Sequence, residues 1–289
     1  MQPRALIVTG VHDFAGLNYL MNTDVTGLAL TSLALRAFDL TSVTDHWAIG
    51  GLLTLIFTAL ARWVRGVTNA GALAGAACCF ILYVGGGPGA FAALITVFAL
   101  AWITTRLGYQ RKQKLGIAEK RDGRNASQVL ANLGVATACA AIYAIGHGKF
   151  ADGKIVLLLA MSAALSEAAA DTVSSEVGQA LAEKARLITN WKSVPAGTNG
   201  AVSLTGTLAG IAAAGIVSSV CLLGGLVPGR WLPVSVGAAL LGMVVDSFLG
   251  ATLERRGLLN NDSVNFLSTL VSAVASSWLT LILPVLPVS

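Results

Sequence analysis

Residues 202–226 run for 25 positions without one charged side chain. Wound as a helix at about 1.5 Å per residue, such a run exceeds the roughly 30 Å of a bilayer's hydrocarbon core. A helix that is apolar all round is stable only in lipid or in a protein interior. Across the 289 residues the pattern recurs, with apolar stretches near 46–62, 68–84, 88–106, 128–146, 154–172, 202–226, 231–251 and 264–286. Only Gly85-Gly86-Gly87-Pro88-Gly89 parts the second from the third. Charged residues make up 11% of the chain, against roughly a quarter in a soluble domain, so no charged exterior can be assembled. A soluble enzyme, a disordered chain and a nucleic-acid-binding domain are thereby excluded. The expectation is an all-α polytopic transmembrane bundle of seven to eight spans, with a re-entrant or loop-lined site, embedded in the lipid bilayer.

Orientation follows from the basic residues. Fourteen of the nineteen Lys and Arg fall in the loops 62–67, 106–127, 173–201 and 252–262, which alternate with the spans. Those loops are expected on the cytoplasmic side of a multi-pass protein. Residues 1–45 form a separate N-terminal segment, partly amphipathic near 25–38, ahead of a membrane domain over 46–289. No signal-peptide cleavage pattern follows Arg4. The net charge of +5 fits loops held against an anionic leaflet and no nucleic acid. Cys78, Cys79, Cys139 and Cys221 sit in apolar runs without CxxC spacing and read as small apolar fillers.

Acids inside a membrane segment are costly and mark functional sites. Asp171 closes the 154–172 run, with Glu167 one turn before it and Glu176 just after it; Asp246 lies within 231–251. By the orientation above, both aspartates lie toward the cytoplasmic ends of their helices, open to one shared cavity. No lysine or arginine within the apolar core stands ready to pair with them, and two carboxylates at one depth repel unless a cation lies between. Magnesium needs only one or two protein carboxylates, drawing its other oxygens from water and phosphate. Asp171, Glu176 and Asp246 are accordingly the expected Mg²⁺ ligands.

Lys192-Ser-Val-Pro-Ala-Gly197-Thr198-Asn199-Gly200 precedes a helix. Such a segment can turn backbone N–H groups and a helix dipole toward an anion, with Lys192 as a point charge. Across the membrane face, Arg124-Asn125-Ala126-Ser127-Gln128 leads into a span holding Asn132, on the same helix face as Gln128. Asn132 needs a partner in an apolar span; Asn265, at the start of the last span, follows the same logic. Gly148-Lys-Phe-Ala-Asp-Gly153-Lys154 has phosphate-loop spacing but Ile155 where Ser or Thr is required, so it is set aside. Gly71-xxx-Gly75 and Gly206-xxx-Gly210 are helix-packing signals that also permit homo-oligomers. His12, His46 and His147 are scattered and support no metal site or triad.

Three segments together, Ala170-Asp-Thr-Val-Ser-Ser-Glu-Val-Gly178, Gly197-Thr-Asn-Gly-Ala-Val-Ser-Leu-Thr-Gly-Thr207 and Asp246-Ser-Phe-Leu-Gly-Ala251, resemble the integral membrane family of human transmembrane protein 19. With them go Lys114-Leu-Gly-Ile-Ala-Glu-Lys120 and Gln128-Val-Leu-Ala-Asn132. That family also contains the plant and cyanobacterial phytyl-phosphate kinases, and the resemblance runs from about residue 47 to the C-terminus. Asn125 stands where a second arginine would follow Arg124, which speaks against a paired-arginine clamp.

The resemblance implies a kinase that transfers a phosphoryl group from a nucleoside triphosphate, CTP by analogy with phytol and dolichol kinases, to an isoprenoid monophosphate. In that scheme Asp171, Glu176 and Asp246 hold Mg²⁺, while Lys192 and the Gly197, Thr198, Asn199, Gly200 segment cradle the transferring group. Arg124, Gln128, Asn132, Ser175 and Asn265 hold the acceptor phosphate or the nucleotide. The alternatives are a lipid-phosphate cytidylyltransferase and a transporter or flippase of a phosphorylated lipid or ion.

Overall fold

The structure, a computed structural model, describes residues 43–119, 122–146 and 153–283. The chain divides into two compact units, Met1–Ala48 and Ile49–Ser289; the architecture below is that of the second. The expected amphipathic stretch at 25–38, with His12, His147, most of the set-aside 148–154 pattern and the loop positions Lys120 and Arg121, lies outside the described residues.

The long helices are α1 (Val43–Trp63), α2 (Asn69–Arg106), α4 (Ala126–Ile145), α5 (Lys154–Leu181), α6 (Leu204–Leu223), α7 (Leu232–Leu249) and α8 (Asn261–Ile282). A short α3 (Tyr109–Lys114) lies in the loop after α2, and a π-helical turn, Gly250–Glu254, extends α7. Six of the helices, α2 and α4 to α8, are long and apolar enough to cross a membrane, α7 counted with its flanking turns. Large apolar side chains such as Leu55, Leu73, Leu204 and Leu281 point outward, as lipid-facing surface must.

The eight expected stretches map onto seven helices. Those at 68–84 and 88–106 are the two arms of α2, whose 38 residues would measure about 57 Å if straight, far beyond one crossing. Gly87 breaks it at φ 66, ψ −161, a backbone region that only glycine enters without strain. Pro88 supplies no N–H to carry the helix across. Both arms then line one cavity, Gly71 and Gly75 from the first and Leu94 to Arg106 from the second, so the chain folds back as a hairpin. The stretch at 46–62 becomes α1.

Helix α5 is the axis of the bundle, in contact with α2, α4, α6, α7 and α8. Every residue from Leu159 to Ala170 is buried, and most are Ala or Ser, which lets neighbouring backbones approach closely. Its buried hydroxyls join those of α6 and α7: Ser166 with Ser218 at 2.8 Å, Ser218 with Ser235 at 3.0 Å, Ser162 with Ser235 at 2.8 Å.

The four basic loops meet at one end of the bundle, as their alternation requires. Val67 bridges to Arg124, Arg111 donates to the Ala180 and Ala182 carbonyls at 3.2 and 2.6 Å, and Gly200 packs on Gly250 and Ala251. Within the 182–203 segment the otherwise helical chain forms a three-stranded antiparallel sheet in the order β2 (Ser193–Val194), β1 (Ala185–Leu187), β3 (Ala201–Val202). Outside the apolar spans, backbone groups can pair as strands as well as helices.

Candidate functional site

At the loop-bearing end, α4, α5, α7 and α8 converge on a cluster of acids. Asp171 on α5 and Asp246 on α7 are half-buried, and their carboxyl groups lie within hydrogen-bonding reach of each other. Glu167, one turn deeper on α5 and about 40° round the same face, is fully buried and acts on Asp246 through its charge. Its Oε1 has no hydrogen-bond partner among the described residues, nor does the buried Ser272 Oγ. Ser268 lies beside Glu167, but its hydroxyl donates to the Asn265 carbonyl at 3.0 Å. Both α5 and α8 reach this depth because Gly242 has no side chain: a Cβ there would meet Glu167 Cγ at 2.5 Å and Ser272 Cβ at 3.1 Å.

A fourth acid, Glu254, joins from the end of α7, acting on both aspartates through its charge. In an uninterrupted α-helix, eight residues would leave Glu254 about 80° round from Asp246. The π turn at Gly250–Glu254 takes up about one extra residue and brings the side chain back toward the Asp246 face. Such turns occur often at functional sites. The sequence reading placed Glu254 in a loop; its i+8 spacing from Asp246 carried no signal without that turn.

Polar side chains connect the acids to neighbouring helices. In the amide orientation that satisfies the network, Asn265 donates to Asp246 Oδ2 at 3.3 Å and accepts from Asn132 Nδ2 at 3.3 Å. Asn132 also donates to the Gln128 carbonyl at 2.8 Å. Arg124 acts electrostatically on Asp171 and donates through Nη2 to Thr172 Oγ1 at 3.4 Å. Its backbone is pinned between the Gly66 carbonyl and the Thr68 N–H, each at 3.0 Å. Asn125, in place of a second arginine, caps α4: Asn125 Oδ1 accepts from the Gln128 N–H at 3.0 Å and Gln128 Oε1 from the Asn125 N–H at 2.9 Å. Gln128 Nε2 donates to Glu119 at 3.0 Å, so this side chain is committed to the helix start.

Glu176 is elsewhere. Five residues past Asp171 is about 140° round the helix, and there Glu176 meets Lys112, a loop lysine that the sequence reading did not pair with it. Lys112 is 1% exposed and donates to Glu176 Oε2 at 2.5 Å, the Thr105 carbonyl at 2.7 Å and the Thr104 carbonyl at 3.1 Å. Thr105 Oγ1 donates to Glu176 Oε1 at 3.0 Å. The expectation that these acids lack a basic partner is corrected here: a buried cation from α3 fills all three of its donor positions at the end of α2 and α5.

The Lys192–Gly200 segment comprises strand β2 and the connection from it to β3. Lys192 and Asn199 are exposed, and Thr198 Oγ1 donates to the Pro195 carbonyl at 2.8 Å. Gly197 and Gly200 have φ of 86 and 72; at Gly200 a Cβ would run into Ala251, so the loop presses backbone to backbone on the π turn. Ser175 is exposed and donates to the Asp171 carbonyl at 2.9 Å. Ser175 thus reaches the backbone of Asp171 and not its carboxylate, and among the described residues no hydrogen bond or ion pair joins Lys192 to the acid pair.

Among the described residues, no three His, Cys, Asp or Glu side chains form a ready metal cage. The Asp171–Asp246 pair nevertheless suits magnesium. Two abutting carboxylates need a shared proton or cation, and two are as many as this ion takes when phosphate and water complete its shell.

Beside the acids opens a cavity of about 350 Å³. Its walls come from α1, both arms of α2 and the start of α4, and Arg124 and Asn132 belong to both cavity and acid site.

A model of the integral membrane protein family DUF92 matches residues 52–273. An uncharacterised membrane protein of Methanocaldococcus jannaschii is 33% identical over 227 residues, covering 77% of this chain and 90% of its own length. An uncharacterised membrane protein of Synechocystis is 35% identical over 196 residues, 67% of this chain and 74% of that one. Protein VTE6, a chloroplastic protein of Arabidopsis thaliana, is 32% identical over 197 residues, which is 66% of this chain and 58% of that protein. No solved structure matches the chain.

Proposed function

This chain belongs to the integral membrane protein DUF92 family, and we propose that it is a membrane kinase acting on an isoprenoid monophosphate. The observation that carries the proposal is the Asp171–Asp246 pair, set at one end of the bundle, linked by Asn265 to Asn132 and flanked by Arg124. The resemblance of the sequence motifs to the phytyl-phosphate kinases supports the same class of reaction. CTP is the donor that the resemblance implies. The excess of basic residues in the loops beside the site supports a cytoplasmic orientation, in which a nucleotide arrives from water while a lipid phosphate arrives from the bilayer.

In this reading an acceptor phosphate oxygen attacks the γ-phosphorus. A new P–O bond forms, the bond to the β-phosphate breaks, and a nucleoside diphosphate leaves with the bonding electron pair. A dianionic acceptor and a tetra-anionic donor give two trianions, so no proton moves and no general base is required. Arg124 neutralises and orients the acceptor phosphate with its planar fork of donors. Asn132 and Asn265 fix the Asp246 carboxylate, and the Gly200 loop braces the π turn that carries Glu254. Magnesium, held by Asp171 and Asp246, would offset the phosphate charge that builds up in transfer. The chain's own contribution is positioning and preorganised charge.

The test uses full-length protein purified in detergent, given Mg²⁺, γ-labelled nucleotide and phytyl monophosphate. Asp171→Asn and Asp246→Asn should each lower transfer on the order of a hundredfold or more, with label recovered in the diphosphate. If both variants keep near wild-type transfer, the reading falls. Release of pyrophosphate with the nucleotide moiety retained on the lipid would replace it with nucleotidyl transfer.

A further inference from the structure

We propose that the cavity bounded by α1, the α2 hairpin and α4 holds the hydrocarbon tail of the acceptor and sets the chain length accepted. This rests on the kinase reading for the identity of the head group.

The deep walls are apolar, formed by Phe57, Ala72, Leu94, Val97, Phe98 and Leu133. At the loop end the lining changes to Arg65, Arg106 and Arg124, with Thr105 and Glu119 beside them. Arg106 is fixed there, stacked 3.9 Å over Trp102 and donating to the Val64 carbonyl at 2.7 Å. Among the described residues none of the three guanidinium groups is in a salt bridge, and Glu119 Oε1 already accepts from Gln128. An apolar slot with a cationic rim complements an anionic head on a hydrocarbon chain. Arg124 belongs to both slot and acid site, so a phosphate held there points at Asp171 while its tail runs down the slot.

The slot is elongated. Leu94 and Arg106 both line the cavity, and twelve residues of helix separate them by about 18 Å. A cavity of about 350 Å³ drawn out along that length suits an extended hydrocarbon chain.

A tail coming from the bilayer gains little from the hydrophobic effect, because lipid is already apolar. The slot therefore acts by alignment: it orients the tail so that the phosphate meets Arg124 and the acid pair. Blocking the slot should penalise long tails more than short ones.

Gly75 lines the slot, and a Cβ built there has nothing within 4 Å. Gly75→Leu therefore adds side chain to empty space, and within a helix Leu is favoured over Gly. The measurement is kcat/KM for geranyl, farnesyl and phytyl monophosphate in the full-length protein. The ratio of phytyl to geranyl should drop on the order of a hundredfold, the cost of about 1 Å of misplacement at the reacting atom. Leu73→Ala, on the exposed side of the same helix turn, should leave that ratio alone. An unchanged ratio in Gly75→Leu, or an equal ratio change in Leu73→Ala, overturns the proposal. A farnesyl monophosphate bearing a diazirine on its terminal isoprene is then photolysed in the wild-type protein. Adducts should map to Phe57, Phe98 or Leu133; adducts confined to outward residues such as Leu73 overturn the slot. Adducts inside the slot without transfer from any nucleotide would sink the kinase reading and leave the slot standing. Transfer with outward adducts would do the reverse.

Discussion

Glu176→Gln separates two roles that a carboxylate in this region could have. In the structure Glu176 is the counter-ion of Lys112, whose side chain is 1% exposed against 13% for that of Glu176. Neutralising the acid leaves a buried cation with no anionic partner, held by the Thr104 and Thr105 carbonyls. Removing one member of a buried pair costs about 3–5 kcal/mol. The lower end applies, since Glu176 keeps some contact with water and the amide can still accept from Lys112. At roughly 2–4 °C per kcal/mol for a chain of this size, a loss of about 3 kcal/mol lowers the thermal midpoint by about 6–12 °C. Fluorescence-detected size-exclusion chromatography after a temperature ramp reads that shift directly in detergent. Lys112→Met combined with Glu176→Leu should recover most of it, because an apolar pair of similar volume replaces a buried ion pair at little cost. If Glu176 instead held a metal, the single variant would melt near the wild type and respond differently to Mg²⁺. A midpoint within about 2 °C of the wild type, less than 1 kcal/mol on the same scale, refutes the ion-pair argument.

Gly87→Ala forces a side chain into the φ 66, ψ −161 corner and should destabilise the α2 hairpin by about 1–3 kcal/mol, seen as a lower midpoint in the same assay. Asn265→Leu removes the link between Asp246 and Asn132. It should cost about 1–3 kcal/mol, the penalty for stranding buried partners, and also reduce phosphoryl transfer. A loss of stability with turnover intact would detach Asn265 from the site. Ser218→Ala breaks two buried interhelical hydrogen bonds, to Ser166 and Ser235; at about 0.6 kcal/mol each in a membrane protein, the drop in midpoint should be far smaller than for Glu176→Gln.

Much of the site's location was legible before any coordinates. Asp171 and Asp246 stand where a rise of 1.5 Å per residue, counted along spans of opposite or equal direction, puts them at one depth. Asn132 and Asn265 could be singled out because an amide in an apolar span must find a partner. The partner of Glu176 is not legible in the sequence, because proximity to Asp171 along the chain does not fix helical phase and its cation comes from a loop 64 residues earlier. The apolar slot was invisible for a related reason: its lining is drawn from three helices whose individual faces look like any other lipid-embedded surface.

The chain alone determined that apolar stretches long enough to cross a membrane recur along it, and that Gly85-Gly86-Gly87-Pro88-Gly89 parts two of them. Hydropathy, the missing N–H of proline and the freedom of glycine are properties of short segments. Tertiary structure alone decided which side chains meet: Asp171 with Asp246, Glu176 with Lys112, and Glu254 turned back by the π segment. The rotation of a helix about its axis and the convergence of loops are set by packing around α5, a many-body outcome that no single segment encodes.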